Sequence, residues 1–325
     1  MGRNGLDIPT IAAYMGAKTR LVPTLIELIS KAKNTTIYGE LFGGMGATLL
    51  NKPPHPKEIY NDMSLENYSI FKCLASPSLS DAFIDRILHS KYSQETYDHY
   101  RTIYDKKFID KISKCVGALK TGKLPNDLQN WREENLFELG VTSLILTKMS
   151  PRGLMTAKSF AGYYTGLEDQ QYENWKLNLY TYADRLKNVY ILNQDALSIL
   201  RKNLDNPNAI FLCDSPYNGE NANYSRAAYN TGAAQLRYEK KKKDQEGVCE
   251  SKKQMSQEDD DEFQVAYMST IQHAKCKIIV CGYENNNLTI YIRNTSQKNL
   301  AGQNIQWGKL LNLQKAMDLV KCGIA

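Results

Sequence analysis

Residues 35–62 read TTIYGELFGGMGATLLNKPPHPKEIYND. The β-branched and aromatic residues at the start predict a short strand over residues 35–38, and the glycines that follow end it in a turn. A helix is expected to begin at residues 47–50, a proline-rich breaker follows at 53–56, and a second strand covers 58–61. Strand, glycine turn, helix and strand make one βαβ unit, which predicts a parallel sheet.

Further apolar runs extend this sheet. They cover residues 188–192, 209–213 and 277–281, and polar or helical stretches separate them. An amphipathic helix is predicted over residues 19–33, before the first strand. Strands that alternate with helices predict an α/β fold, a Rossmann-like sheet that is mostly parallel and carries helices on both faces.

The stretch between the second and third strands has a helical pattern. We therefore predict a helical domain at residues 66–180, inserted into a catalytic domain made of residues 1–65 and 181–325. Residues 136–146 are expected to form a buried helix that ends in a basic loop, residues 148–154.

A tyrosine stripe recurs at helical spacing within the predicted helical domain: Tyr92, Tyr97, Tyr100 and Tyr104. Such a stripe is what helix packing requires, and we interpret it as core. Base stacking is the weaker alternative.

Residues 219–262 contain blocks of like charge, Lys240 to Lys243 and Asp259 to Glu262, with few apolar residues. This composition predicts a solvated, mobile loop within the catalytic domain. The alternative is a basic arm that contacts phosphates.

Composition excludes several protein classes. The 325 residues are 42% hydrophobic with a net charge of +6, which permits nucleic-acid binding without requiring it. No apolar run approaches the roughly 20 residues that span a bilayer, so we expect no membrane association. The seven cysteines are scattered without a C-x-x-C pair and the four histidines are dispersed, which predicts an intracellular reducing compartment and no metal site.

The strand at 209–213 is followed by Asp214-Ser215-Pro216-Tyr217. A carboxylate can accept a hydrogen bond from an exocyclic amino group, and Pro216 fixes one φ angle. Tyr217 offers a stacking face, worth roughly 1–3 kcal/mol per base. The plain alternative is an ordinary proline turn.

The glycine turn and the acid after the second strand point to a nucleoside. Gly43, Gly44 and Gly46 allow the backbone to approach a ligand closely. Leu49 stands where a dinucleotide fingerprint would have its third glycine. Asp62 follows the second strand, where a carboxylate can bind ribose hydroxyls, so an adenosine-containing ligand fits.

In this order the motifs resemble those of the Dam-type family of S-adenosylmethionine-dependent DNA adenine N6-methyltransferases, along most of the chain. The matching segments are Tyr14-Met15-Gly16-Ala17-Lys18, Glu40 to Gly46, Asn61-Asp62-Met63-Ser64, Lys148 to Leu154, Asp195, Asp214 to Tyr217, and Cys281 to Asn285.

The resemblance implies a role for each matching residue. Asp214, Ser215, Pro216 and Tyr217 would form the catalytic turn around a flipped-out adenine of double-stranded DNA. S-adenosylmethionine would be bound by Asp62 at its ribose, by Asp195 at its adenine amino group, and by the residues Tyr14, Lys18, Glu40, Phe42, Gly43, Gly44 and Gly46. Lys148 and Arg152 would contact DNA, and plain surface charge is the alternative for both. A monomer or weak dimer is expected.

The chain also departs from the family pattern. Ser215 and Leu41 stand where the family has prolines, and Ser215 removes a φ restraint but keeps its backbone carbonyl. Residues 304–311 only faintly resemble the family's closing hairpin, so the last strands are expected to be atypical. Two alternatives therefore stay open, a weak or inactive DNA-binding relative and an amino-methyltransferase acting on RNA or on a protein amide.

Overall fold

A computed structural model describes residues 6–13, 19–120, 123–163, 165–214, 266–267, 270–271, 274–284, 287–293 and 308–310. Several predictions concern residues outside this described part: Tyr14, Lys18, Ser215, Pro216, Tyr217, and the charged segment 219–262.

One sheet forms the centre of the fold. Its strands in the described part of the chain are β1 (Ile37–Glu40), β2 (Lys57–Asn61), β3 (Val189–Leu192), β4 (Ala209–Cys213), β5 (Lys277–Glu284), β6 (Asn287–Arg293) and β7 (Gly308–Leu310). They lie in the order β3-β2-β1-β4-β5-β6-β7. The first five in this order are parallel, and β6 and β7 add to β5 as antiparallel strands. The predicted mostly parallel α/β sheet is confirmed.

The first strand lies two residues later than the sequence predicts. It covers Ile37–Glu40 instead of 35–38, because its ladder with β4 begins at the pair Ile37 and Ala209. Gly39 pairs with Ile59 on one side and Phe211 on the other, so a glycine that the sequence places in the turn belongs to the strand.

The helices follow the predicted order. They are α1 (Val22–Lys31), α2 (Ala47–Asn51), α3 (Leu65–Ala75), α4 (Ser80–Leu88), α5 (Gln94–Ile103), a π-helical turn (Tyr104–Phe108), α6 (Ile109–Lys120), α7 (Asn126–Met149), α8 (Glu168–Lys176), α9 (Leu179–Leu186) and α10 (Ala196–Asn203). The predicted helix at 19–33 is shorter, because a 3-10 turn over Thr19–Leu21 precedes α1.

Alternate residues of β4 divide the core between the two faces of the sheet. Ile210 and Leu212 belong to the core formed with helices α1 to α9, whereas Phe211 and Cys213 pack against α10 on the opposite face. The helices of residues 66–180 thus share one core with the sheet. The division at residues 65 and 180 into two domains stays a prediction.

The tyrosine stripe lies in this core. Tyr97, Tyr100 and Tyr104 are buried and Tyr92 is half-buried, and all four pack with the helices around them. The interpretation as core packing is confirmed.

Asn61 joins the carboxyl ends of three strands. Its buried Nδ2 donates to the carbonyl oxygens of Leu41 and Gln194, both at 3.0 Å, and its Oδ1 accepts from the amide of Gln194 at 3.0 Å. Leu41 follows β1 and Gln194 follows β3, so one side chain at the end of β2 fixes the relative position of both neighbours.

We predict that Asn61→Ala lowers the free energy of unfolding by about 2–4 kcal/mol, because the buried backbone groups of Leu41 and Gln194 lose their partner. Urea denaturation followed by circular dichroism measures this change. Asn174→Ala, on the exposed face of α8, is the control and should stay within about 0.5 kcal/mol of wild type. Equal effects of the two substitutions would contradict the prediction.

Candidate active site

Of the predicted site residues, Glu40, the glycine turn, Asp62, Asp195 and Asp214 lie at or next to the carboxyl ends of the parallel strands, near the reversal in strand order. β1 and β4 lie side by side there, and Glu40 pairs with both Tyr60 and Leu212. Because these strands are parallel, the segments that follow β1, β2, β3 and β4 leave the sheet at the same edge, the one formed by the carboxyl ends of the strands. Ligands of open α/β sheets bind at this edge, beside the reversal in strand order.

The glycine turn and Asp62 contact each other directly. The amide of Gly44 donates to Asp62 Oδ2 at 2.7 Å, and the amide of Gly43 donates to the carbonyl of Asn61 at 2.9 Å. Asp62 also accepts from the amide of Ser64 at 2.8 Å and from Asn67 Nδ2 at 3.1 Å. The two motifs predicted to bind one ligand thus form a single structural unit.

Burial sets the protonation of Asp62. Removal from water raises the pKa of its carboxyl to about 6, although the hydrogen bonds from Ser64, Asn67 and Gly44 oppose that rise. The group is therefore ionised at neutral pH. Among the described residues only Ser64 donates to its Oδ1, so this oxygen can also accept a hydroxyl donor from a ligand.

The stacked rings of Tyr60 and Phe71 pack against the glycine turn. Tyr60 donates its hydroxyl to the carbonyl of Gly44 at 2.6 Å and stacks on Phe71 with ring centroids 3.9 Å apart. A Cβ atom at position 43 would lie 2.2 Å from the Tyr60 ring. Gly43 is required because no side chain fits above this ring.

Glu40 points into the protein core. Its buried carboxyl accepts from the Tyr38 hydroxyl at 2.7 Å. Burial raises the pKa of this carboxyl to about 7, while the Tyr38 hydrogen bond and the charge of Lys52 act in the opposite direction. Lys52 in turn forms a buried ion pair with Glu58. Glu40 therefore lies in a buried polar cluster with Tyr38 and Lys52. Its contact with a cofactor stays a prediction.

Phe42 is half-buried at the other side of the turn. Its ring packs edge-on against the buried ring of Tyr267, with centroids 6.1 Å apart. This contact anchors the turn on the face of the sheet that carries α10.

Asp195 and Asp214 follow β3 and β4 at the same edge. Asp195 is half-buried and caps α10, where its Oδ2 accepts from the amide of Ser198 at 2.8 Å. No described residue donates to its other oxygen. Asp214 is half-buried directly after β4. The sequence predicted both positions, but not the capping role of Asp195.

At the carboxyl ends of the central parallel strands, a glycine turn is thus hydrogen-bonded to an aspartate. A model of the D12 class N6 adenine-specific DNA methyltransferases matches residues 14–280. The chain belongs to this family. A comparison with curated proteins found no match.

Membership in the D12 class establishes the reaction. The enzyme methylates the N6 amino group of adenine in DNA, which confirms the function that the motifs predicted, and the reaction requires a methyl donor. The alternatives of an inactive relative and of a different amino substrate are not supported by this finding.

Asn193, which no sequence motif singled out, holds the Asp62 loop of this D12 class enzyme from the side of β3. Its Nδ2 donates to the carbonyls of Asp62 and Met63 at 2.8 and 3.1 Å, and its Oδ1 accepts from Arg132 Nη1 at 3.3 Å. The available signal was its position, since a polar residue directly after a strand of a parallel sheet lies at the end where ligands bind.

The basic segment predicted at residues 148–154 differs from a plain loop. Lys148 lies in the last turn of α7, with its Nζ 4.3 Å from the centroid of the Trp175 ring. Burial lowers the pKa of Lys148 to about 8. The loop begins only after Met149, because α7 continues three residues beyond the predicted helix end at 146. Arg152 is exposed in this loop at a φ of 55°.

The described residues of this D12 class enzyme also bear on the predictions about metal ions, cysteines and membrane spans. Within the described residues, no cluster of three or more His, Cys, Asp or Glu side chains could hold a metal ion. The five cysteines in that part of the chain are buried: Cys73, Cys115, Cys213, Cys276 and Cys281. The described helices include none with the length and apolarity of a membrane span.

We predict that Gly43→Ala lowers DNA methyltransferase activity by about 100-fold, because displacing the Tyr60 ring shifts the glycine turn by an ångström or so. A radiolabelled methyl-transfer assay measures the loss. Gly117→Ala is the matched control, since a Cβ there meets nothing within 4 Å on helix α6. It should keep full activity and gain about 0.5–1 kcal/mol of stability. Full activity of Gly43→Ala would show that the turn tolerates displacement.

Proposed function

We propose that this enzyme takes its methyl group from S-adenosylmethionine and transfers it to an adenine flipped out of duplex DNA at a specific sequence. The observation that carries the proposal is the 2.7 Å hydrogen bond from Gly44 to Asp62, at the sheet edge where Asp195 and Asp214 also lie. A glycine turn bonded to a carboxylate at that edge is suited to an adenosine ligand.

The residues at the edge fit such a donor. Asp62 would accept ribose hydroxyls through Oδ1, and Asp195 would accept from the adenine amino group through the oxygen that does not cap α10. Gly43, Gly44 and Gly46 would border the methionine part, with Phe42 beside them and Glu40 behind them. Tyr14 and Lys18 would complete the site, with Lys18 near the carboxylate of the donor or near the DNA. When bound, S-adenosylmethionine supplies a methyl group on a positively charged sulfur.

Asp214 would orient the target nitrogen. The exocyclic N6 of adenine is a poor nucleophile because its lone pair is delocalised into the ring. Hydrogen bonds from N6 to the Asp214 carboxylate and to the carbonyl of Ser215 would favour tetrahedral geometry at the nitrogen and direct its lone pair along the transfer axis. This is catalysis by positioning and electrostatic stabilisation. Pro216 would hold the turn.

The target base must leave the duplex to reach this edge, because its N6 is not accessible to an active site inside the helix. Tyr217 would provide a stacking face for the flipped adenine. Residues 66–180 would recognise the target sequence, while residues 1–65 and 181–325 would carry out the transfer.

Arg152 is the better candidate for a DNA contact in the basic loop. It is exposed, whereas the ammonium group of Lys148 packs on Trp175 and has a lowered pKa. An exposed guanidinium can bind phosphate or a guanine edge. Lys148 would then act mainly by placing the start of the loop.

The cellular setting follows from the substrate. We propose that the protein acts as a monomer or weak dimer on DNA in a cytoplasm of bacterial, phage or mobile-element type, or in another reducing compartment. The scattered, buried cysteines agree with a reducing environment. Restriction-modification is the setting typical of the family.

Expression in a host that lacks adenine methylation, followed by modification-sensitive long-read sequencing, tests the function. We expect N6-methyladenine at one short motif, and none with Asp214→Asn, which removes the acceptor charge at N6. Asp81→Asn, an exposed carboxylate on α4, is the control and should leave the pattern unchanged. Unmethylated DNA with the wild-type protein would refute the proposal, and retained donor binding in that case would favour the inactive relative.

The pH dependence of product binding tests the role of Asp62. S-adenosylhomocysteine, measured by calorimetry from pH 5 to pH 8, should bind more weakly as the pH falls through about 6, because protonation removes the charge that accepts the ribose hydroxyls. Asp62→Asn should bind about 10-fold to 100-fold more weakly at pH 8 and lose this pH dependence. A wild-type affinity that is flat across pH 6 would argue against a contact with Asp62.

A further inference from the structure

A chain of buried polar side chains runs from Asp62 to the loop over residues 150–163. Its members are Asp62, Ser64, Glu66, Tyr104 and Arg101, each at most 8% exposed. Buried polar groups need partners, so such a chain persists only where each contact is well made.

The first part of the chain connects Asp62 with the π-helical turn. Ser64 donates its amide to Asp62 Oδ1 at 2.8 Å and its hydroxyl to Glu66 Oε2 at 2.9 Å. Tyr104 donates its hydroxyl to Glu66 Oε1 at 2.7 Å. Both oxygens of Glu66 therefore have a donor, and these donors stabilise a second buried negative charge close to Asp62.

The second part reaches the loop. Tyr104 begins the π-helical turn, a backbone form that is often found at functional sites. The guanidinium carbon of Arg101 lies 5.4 Å from the centroid of the Tyr104 ring. Arg101 Nη1 donates to the carbonyl of Met155 at 2.7 Å, and Asp105 accepts from its Nε and Nη2 at 3.0 and 2.6 Å. Arg101 is thus fixed by one carboxylate while it holds the loop.

The loop itself is closely seated. Gly153 has a φ of 72°, and a Cβ atom there would lie 2.1 Å from the carbonyl oxygen of Ala13. The amide of Ala161 donates to the carbonyl of Met149 at 2.7 Å, which closes the loop at its base. Arg152 is therefore exposed on a loop that Arg101 contacts at Met155 and that packs closely on Ala13 at Gly153.

We propose that Glu66, Tyr104 and Arg101 are positioning residues that couple cofactor binding at Asp62 to the placement of the DNA-contacting loop. The inference rests on the proposed function, in which Asp62 binds the cofactor and Arg152 binds DNA. A ligand that shifts the Asp62 carboxylate changes the hydrogen bonds of Ser64, Glu66 and Tyr104. The contact of the Tyr104 ring with the Arg101 guanidinium then passes the change to the carbonyl of Met155. Linkage requires the reverse effect, so DNA on the loop changes cofactor affinity by the same factor.

A coupling factor measures the effect. Calorimetry gives the dissociation constant of S-adenosylhomocysteine for the full chain, first without DNA and then with a saturating duplex that carries the motif the enzyme methylates. The coupling factor is the first constant divided by the second. We expect a wild-type factor of about 5 or more. Tyr104→Phe, which removes only the hydroxyl on Glu66, should bring the factor to within about twofold of one. Tyr100→Phe, on the preceding turn of α5, should keep the wild-type value.

Two further measurements separate coupling from stability. S-adenosylhomocysteine should slow amide hydrogen exchange in residues 150–163 of the wild type and of Tyr100→Phe, but not of Tyr104→Phe. Arg101→Lys keeps the charge and loses the planar fork that binds Met155 and Asp105, so it should also abolish coupling. It provides a second measurement if Tyr104→Phe folds poorly.

A wild-type coupling factor of one overturns the inference. So does a wild-type factor in both Tyr104→Phe and Arg101→Lys, whatever their melting temperatures, because the chain of side chains would then serve stability alone. Failure of the proposed function looks different, since the wild-type protein would then bind no S-adenosylhomocysteine or leave the DNA unmethylated.

Discussion

The hydrogen bond between the Gly44 amide and the Asp62 carboxylate is the contact on which the site depends. It joins the turn after β1 to the end of β2 at 2.7 Å. The surrounding groups hold this contact in place: Tyr60 binds the turn from below, Asn61 ties the neighbouring strand ends, and Asn193 holds the backbone beside Asp62. Burial of a carboxylate costs free energy, and a buried carboxylate with a raised pKa at the ligand-binding end of a sheet is typical of a functional site.

The sequence predicted the parts of this site that are local in the chain. The strand at 209–213, the glycine turn and Asp62 each carry a short-range signature, and a parallel sheet necessarily brings strand ends together. The error of two residues in β1 arose because Gly39 pairs in the ladder although glycine usually marks a turn. Strand bounds are set by pairing partners, which local patterns do not contain.

The contacts between distant segments could not be predicted. Asn61 meets Gln194, and Arg101 meets Met155, across large separations in the chain. Nothing at those positions distinguishes an interior polar partner from a surface residue until the fold brings them together. Lys148 is a further example, because nothing in the basic segment indicates that its ammonium group packs on Trp175.

The stack of Tyr60 on Phe71 beneath the glycine turn has a consequence for how this family can diverge. The space above the Tyr60 ring is filled by backbone, so positions 43, 60 and 71 cannot change independently. A relative that carries a residue larger than glycine at the position of Gly43 must carry a smaller side chain at that of Tyr60. We therefore expect these three positions to covary among D12 class sequences.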